Sequence, residues 1–474
     1  MTKTNNIELP NNSKLPAFVQ AIQWIIAPMS MMERCAKRYG DIFTLRVSPK
    51  RTPIVFISNP QALQEILTSD SNKSFSAPGE TNVIFATLLG EYSLMSLGGV
   101  QHQRQRQLLT PPFHGERMLS YTKVINDLTQ EVMEGLEVGK PFSVRDVTQA
   151  ITLRTIVKAV FGFDEGSQAQ GLEVFVNAIT NQLTSPAGVA MLYFPSLRKD
   201  WGALSPWGKY LQCRHETDKQ LYEQIKQRRE QADSSKTDIL SLLISARDEA
   251  GELMTDKELR DELMALLIAG QETTATALAW ALYWIHKLPE VREKLLIEIA
   301  QLNGANADVS TLTKLPYLNA VCCETLRIYP VGMLTFPRRV EKPVKLCGWD
   351  LEPGTLLYGS IYLTHQREDL YPEPKKFKPE RFLERQFSPY EFLPFGGGVR
   401  RCIGAAFALL EMKVALVKIL SEYSLLLVGS SNNEVKPKRR GLVTAPASPI
   451  NMVITGKRVN SNIGLNQKGS SILA

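Results

Sequence analysis

Residues 394–404 read PFGGGVRRCIG: three consecutive glycines and two arginines precede one cysteine, Cys402, and a long apolar run follows it. The following run, CIGAAFALLEMKVALVKIL, has helical periodicity. Cys402 is therefore expected at a helix N-terminus, where free N–H groups and the helix dipole favour a thiolate. Gly396, Gly397 and Gly398 let backbone approach a bulky planar partner or turn N–H groups toward the sulfur. Arg400 offers a guanidinium fork for an anionic group. From its residues alone the stretch fits a thiolate metal ligand, a nucleophile or a buried structural cysteine. A nucleophile would lack an evident base, because the five histidines are spread out in no recognisable protease or transferase context.

The other cysteines, Cys35, Cys213, Cys322, Cys323 and Cys347, form neither a CxxC nor a Cys/His zinc spacing. That argues against disulfides and structural zinc, and it makes Cys322 and Cys323 small core residues. A chain of 474 residues with 44% hydrophobic content can bury a large core. Its length suggests about three domains. No fixed-period repeat and no Pro/Gly/Ser linker divides it, so one mixed, mainly helical domain is expected at 15–455, with polar tails at 1–14 and 456–474. The formal charge of +7 is mild and dispersed; it argues against nucleic acid and suits an acidic protein partner. The apolar stretch 17–27 is too short to span a bilayer and lacks a signal-peptide cleavage pattern. A cytoplasmic chain without an integral membrane anchor is expected.

Helical patterns cover 119–136, 147–161, 210–230, 255–287, 291–302, 318–328 and 402–423, with strand-like runs at 42–48, 53–58, 344–354, 355–364 and 450–455. Thr255 and Glu258 form a capping-box pair for the longest helix, and Pro289 marks its far boundary. Its centre reads LMALLIAGQETTATALAWALYWI. A membrane span conflicts with Glu272 at the midpoint, where an acid costs roughly 2.5–3.5 kcal/mol. As a core helix it must still explain Gly270, which costs about 1 kcal/mol relative to Ala. Thr273 lies four residues after Ala269, so its hydroxyl can take the Ala269 carbonyl and open a local notch. Glu272 reaching toward solvent and Thr273 facing the reaction would make a proton relay. An Ala/Gly packing contact with a satisfied polar pair fits the helix equally.

FGGGVRRCIG, residues 395–404, resembles the F-x-x-G-x-R-x-C-x-G haem-ligand loop of the cytochrome P-450 monooxygenases. AGQETT at 269–274 is similar to that family's A/G-G-x-D/E-T-T/S oxygen-activation motif, ETLR at 324–327 to its E-x-x-R, and PERF at 379–382 to the segment supplying a further arginine. E-x-x-R alone is expected about once by chance in a chain of this length; four motifs in this order and spacing are not. The resemblance runs from YGDIF at 39–43 to about 452 and is weak over 162–208. It looks most like bacterial members, including cyanobacterial ones.

The resemblance implies a mainly α (α+β) P-450 fold: a triangular helix-rich domain with a smaller β-rich part, and haem b between the long central helix and the Cys-loop helix. It implies Cys402 as proximal thiolate ligand of the haem iron, with Phe395, Gly398 and Gly404 shaping the loop and Ala269 and Gly270 lying against the cofactor. Propionate partners would be Arg400, then His102 and Arg106 in HQRQR, where His102 replaces the commoner Trp, and one of Arg338 and Arg339. Glu324, Arg327 and Arg381 would form a buried structural ion-pair network. Thr273 would steady bound dioxygen and Glu272 would feed protons.

The implied reaction inserts one atom of O2 into a small apolar substrate of the fatty acid, alkane or terpenoid class. Electrons would come from a separate ferredoxin and ferredoxin reductase, since the chain shows no flavin, nucleotide or iron–sulfur fingerprint. Arg400, Arg401, Lys413 and Lys418 would attract the acidic carrier, although a solvated helix face explains such charges as well. Substrate contacts are expected at Met264, Leu267, Ile268, Val331, Leu334 and Thr444, positions that core packing also explains. A monomer is expected. A peroxide-driven hydroxylase or isomerising synthase on the same fold, and a non-enzymatic haem-thiolate sensor, are the alternatives; the Glu272–Thr273 pair weighs against the first group, and the absence of a recognisable signalling module against the sensor.

Overall fold

The computed structural model describes residues 9–458 apart from 12, 49, 69–73, 82, 116, 164–166, 232–236, 302–311, 313 and 430–433. The two expected tails fall largely outside the described residues. Where the first is described, the carbonyls of Pro10 and Asn11 accept hydrogen bonds from the Thr44 hydroxyl and amide. Strand Asn451–Lys457 carries past the boundary expected at 455.

Helix Asp256–Lys287 is the axis of the fold. Its N-terminus closes as the sequence predicts, with Thr255 Oγ1 accepting from the Glu258 amide at 3.3 Å and Glu258 Oε2 accepting from the Thr255 amide at 2.7 Å. Leu288 is extended, and Pro289 then opens the next helix, Pro289–Ala300. The 32 residues between span about 48 Å. Because the helix is apolar nearly all round, it must be enclosed. Helices Val144–Phe161, Pro206–Gln231, Pro316–Ile328 and Ala405–Glu422 all pack against it.

A five-stranded mixed sheet stands to one side, in the order Ile42–Leu45, Ile54–Ile57, Leu356–Gly359, Arg338–Val340, Phe75–Ser76. A second sheet pairs Asn451–Lys457 with Pro141–Ser143 and Tyr423–Val428. A hairpin of Pro437–Arg440 with Val443–Pro446 completes the distal region. In the short strand Arg338–Val340 the twofold side-chain period buries Arg338 and Val340 and turns Arg339 outward.

Two elements differ from expectation. The run 355–364 is a strand only to Gly359; Ser360 Oγ then accepts from the Leu363 amide at 3.2 Å and caps helix Ile361–His365. The helix expected from Cys402 begins at Ala405, with Gly404 as its N-cap. Helices Ala17–Ile26 and Gly99–Leu109 were not among the expected helical patterns; the second carries His102 and Arg106.

Candidate active site

Cys402 sits in the loop just before helix Ala405–Glu422. Its amide donates to the Phe395 carbonyl at 3.0 Å, and the Arg401 amide donates to Gly398 at 3.0 Å, closing a tight turn. Gly396 and Gly398 hold φ of +67° and +63°, the left-handed region that glycine enters without a side-chain clash. A Cβ on Gly397 would lie 2.8 Å from Leu67 Cδ1, so that glycine answers to packing instead. The Cys402 side chain is accessible, yet protein surrounds it closely enough that desolvation pushes its thiol pKa up. The Gly404 N–H, Arg106 and Arg401 pull the other way. Iron coordination deprotonates a thiol outright.

Cations gather beside this loop. His102 is buried, and its pKa is lowered to about 3, first by desolvation and then by Arg400, Arg106 and Arg338. Arg338 donates to the Gly397 carbonyl at 3.2 Å; Arg400 donates to the carbonyls of Leu94 at 2.8 Å, Ala77 at 2.7 Å and Leu97. A cluster of three guanidiniums around a neutral imidazole fits an anionic group of more than one carboxylate. Arg339 lies on the other face of its strand, where Glu80 and Glu341 take its guanidinium at 2.8 Å each. The two neighbouring arginines thus have opposite surroundings, and Arg338 is the one near His102 and the Gly397 carbonyl.

The middle of the central helix carries the AGQETT stretch. From Leu259 to Ile285 every residue is buried except Ile268, Ala269, Gly270 and Thr273. Thr273 Oγ1 donates to the Ala269 carbonyl at 2.6 Å, the back-bond its spacing predicts. Of the two readings of Gly270, the packing contact is the one the structure supports, since a Cβ would lie 2.9 Å from Cγ1 of Ile156 on helix Val144–Phe161. One other expectation needs correction. Glu272 does not reach solvent. It is buried, with Arg145 Nη2 donating to both carboxylate oxygens and Gln149 Nε2 to Oε2, each at 2.9 Å.

Behind the loop, Glu324 and Arg327 are wholly buried and joined by two hydrogen bonds of 2.7 and 2.9 Å. Arg381 Nε adds a third charge contact to Glu324 at 3.2 Å. Arg327 Nη1 also donates to the His365 carbonyl at 2.8 Å, and His365 Nε2 accepts from the Leu393 amide at 3.0 Å. The Leu393 carbonyl then accepts from the Gly396 amide at 2.9 Å. The network therefore reaches the Cys402 loop through His365, a residue that nothing in its sequence context singled out.

The expected substrate contacts divide. Ile268, Val331 and Leu334 keep partial exposure, whereas Met264, Leu267 and Thr444 are fully buried in protein. Thr444 acts through its backbone, donating to the Val331 carbonyl at 3.0 Å and accepting from Trp280 Nε1 at 3.1 Å. Of the four cations expected at a carrier surface, only Arg401 is exposed; Arg400 and Lys413 are buried, and Lys418 is taken up by Gln130 and Glu422. Sequence reading also passed over Glu411, fully buried on the Cys-side helix. Desolvation raises its pKa to about 8, against the lesser effect of Thr155 and Thr274.

An accessible cysteine in a glycine loop, guanidiniums gathered around His102 and Thr273 in the partly exposed stretch of the central helix would fit haem b held through a thiolate. A family model described as cytochrome P450 matches residues 10–452, and the chain belongs to that family; it is a P450 oxidoreductase of the monooxygenase type with haem b as cofactor. It is 32% identical over 465 residues to cytochrome P450 135A1 of Mycobacterium tuberculosis, covering 98% of this chain and 99% of that protein. It is 33% identical over 447 residues to cytochrome P450 135B1 of Mycobacterium bovis, covering 94% and 91%. The structure of cyanobacterial CYP120A1 with retinoic acid bound superposes with a TM-score of 0.80 at 24% identity, over 94% of this chain and 99% of that one. Among the described residues no helix is long and apolar enough to cross a membrane.

Proposed function

We propose that this chain hydroxylates a small apolar molecule of the fatty acid, alkane or terpenoid class, using electrons from a separate ferredoxin and its reductase. Carrying this reading is the accessible break in an otherwise buried helix at Ile268, Ala269, Gly270 and Thr273. The partly exposed expected contacts, Ile268, Val331 and Leu334, are all aliphatic, side chains suited to a ligand that gains by leaving water. Haem held by Cys402 supplies the reductive cleavage of O2, one atom entering the substrate and the other leaving as water, with two electrons and two protons consumed.

The protein residues manage the protons. Thr273 commits its own hydroxyl hydrogen to Ala269, so its oxygen lone pairs remain to accept a hydrogen bond. Glu272, held on the far side of the helix by Arg145 and Gln149, serves as the proton source once it swings from that clamp. Substrate-binding difference spectra against lipids and terpenoids, followed by turnover with a surrogate ferredoxin system, test the reading. An apolar ligand that shifts the spectrum and is hydroxylated supports it. Turnover with peroxide alone, and none with reduced ferredoxin, contradicts it. Thr273→Ala is expected to keep consuming electrons while product falls and peroxide rises; unchanged coupling would remove Thr273 from the role.

A further inference from the structure

Helix Val83–Leu89 ends in carbonyls that have no partner inside the helix, and side chains from elsewhere take three of them in succession. Arg214 Nη1 donates to Thr87 at 2.9 Å, Tyr210 Oη to Leu88 at 3.2 Å and Arg260 Nη1 to Leu89 at 3.0 Å. The chain then turns at Gly90, whose φ is +116° and where a Cβ would lie 2.1 Å from the Asp261 carboxyl. Glycine alone fits so close a pass.

Past the turn, two acids of the central helix hold the loop by its amides. Asp261 Oδ2 accepts from Tyr92 at 2.9 Å, and Glu262 Oε1 accepts from Leu94 at 2.6 Å. Both acids are buried. Asp261 has a cation, Arg260 Nη1 at 2.7 Å. Glu262 has none among the described residues: desolvation pushes its pKa well above the ordinary carboxylate range, and Asp261 and Glu258 add to that against the Leu94 N–H. A buried acid without a cation is costly, and an apolar side chain in its place would not be. What Glu262 supplies in return is an acceptor for one loop amide.

Leu94 passes that hold onward. Its carbonyl accepts from Arg400 Nη1 at 2.8 Å, so one residue joins the central helix to the guanidinium two places before Cys402. Arg400 Nη2 donates to the carbonyls of Leu97 and, at 2.7 Å, of Ala77. The Ser93 carbonyl accepts from the amides of Ser96 and Leu97 at 2.7 and 3.0 Å, which ties Leu97 to the same turn as Leu94. Two of these three acceptors of Arg400 therefore lie in the stretch that Asp261 and Glu262 fix.

We infer that Glu262 is a positioning residue for haem retention, acting through Leu94 on Arg400. It works as a hydrogen-bond acceptor and not as a charge. Arg214, Tyr210 and Arg260 moor the near end of the segment independently of Glu262, so loss of the acceptor frees the turn around Leu94 and leaves helix Val83–Leu89 in place. Haem retention is measured without substrate or electron carrier, so the inference stands or falls separately from the proposed hydroxylation.

Haem release to excess apomyoglobin and amide hydrogen exchange over residues 90–97 are measured on the full-length haem-loaded protein. Glu262→Leu, an apolar side chain with no acceptor, is expected to speed exchange at Leu94 and to release haem about fivefold faster. Glu262→Gln keeps an uncharged oxygen acceptor and should match the wild type in both. In an Arg400→Ala background, which itself releases haem faster, Glu262→Leu should add nothing further. Gly90→Ala drives a Cβ into Asp261; it should displace the same turn, speed release only while Arg400 is present, and serve if Glu262→Leu folds poorly. Release at the wild-type rate in both Glu262→Leu and Gly90→Ala would overturn the inference. So would full acceleration in the Arg400→Ala background, or a Glu262→Gln protein that loses haem as fast as Glu262→Leu.

Discussion

Arg145 Nη2 donates to both carboxylate oxygens of Glu272 at 2.9 Å, across the junction between helix Val144–Phe161 and the central helix. A buried carboxylate stripped of its cation costs roughly 3–5 kcal/mol. Gln149 stays in place and the Arg145 side chain is 18% exposed, so Arg145→Ala is expected to lose less, about 2–3 kcal/mol. Adding Glu272→Gln should recover most of it. Chemical denaturation of the four proteins in a double-mutant cycle checks this; an additive pair would mean that the two side chains do not interact.

Gly270→Ala has two opposed consequences. Helix propensity favours alanine by about 1 kcal/mol, whereas the new Cβ would press on Ile156. Overpacking of this kind costs about 1–3 kcal/mol, so a net loss of stability is expected in thermal melts. Ile156→Val should relieve part of it in the double variant. A stabilised Gly270→Ala protein would show that the helices yield freely.

Arg338 and Arg339 are neighbours in sequence with opposite surroundings. If Arg338 holds a haem carboxylate, Arg338→Ala should release haem to apomyoglobin about tenfold faster, the equivalent of about 1.4 kcal/mol. Arg339→Ala breaks only exposed ion pairs with Glu80 and Glu341 and should release haem at the wild-type rate. Equal acceleration in both would dissolve the distinction.

The contrast between those two arginines also shows where sequence stops. Thiol loop, central helix, the Glu324–Arg327 pair and most helix bounds were legible, because each rests on local signals: a glycine run, a capping box, three-residue helical spacing; Arg381 joined that pair only through the family resemblance. Arg338 was not separable from Arg339, since the assignment needs the orientation of a three-residue strand. The purpose of Gly270 required Ile156, more than a hundred residues away in the chain. Likewise, Arg145, Gln149 and His365 act through tertiary contacts that no spacing encodes. Arg400, Lys413 and Lys418 read as surface charges only because burial is invisible in a list of residues.

Glu411 makes stability depend on pH in a direction unusual for an acid. Its carboxyl is held protonated to about pH 8 in the fold, against about 4.3 for a free glutamate. Between those limits the native state binds more protons than the unfolded chain, so stability falls as pH rises, by up to about 1.4 kcal/mol per pH unit from this group. Glu411→Gln should flatten that decline between about pH 5 and 8 in denaturant titrations. An unchanged slope would place the proton elsewhere.

Cys402 as the iron ligand is the claim on which all else depends. Purified protein loaded with haemin, reduced with dithionite and exposed to carbon monoxide is expected to show the strongly red-shifted Soret band of a thiolate-bound haem, and Cys402→Ala is expected to lack it. Absence of that band from wild-type protein with haem bound, or its persistence in Cys402→Ala, would contradict the account.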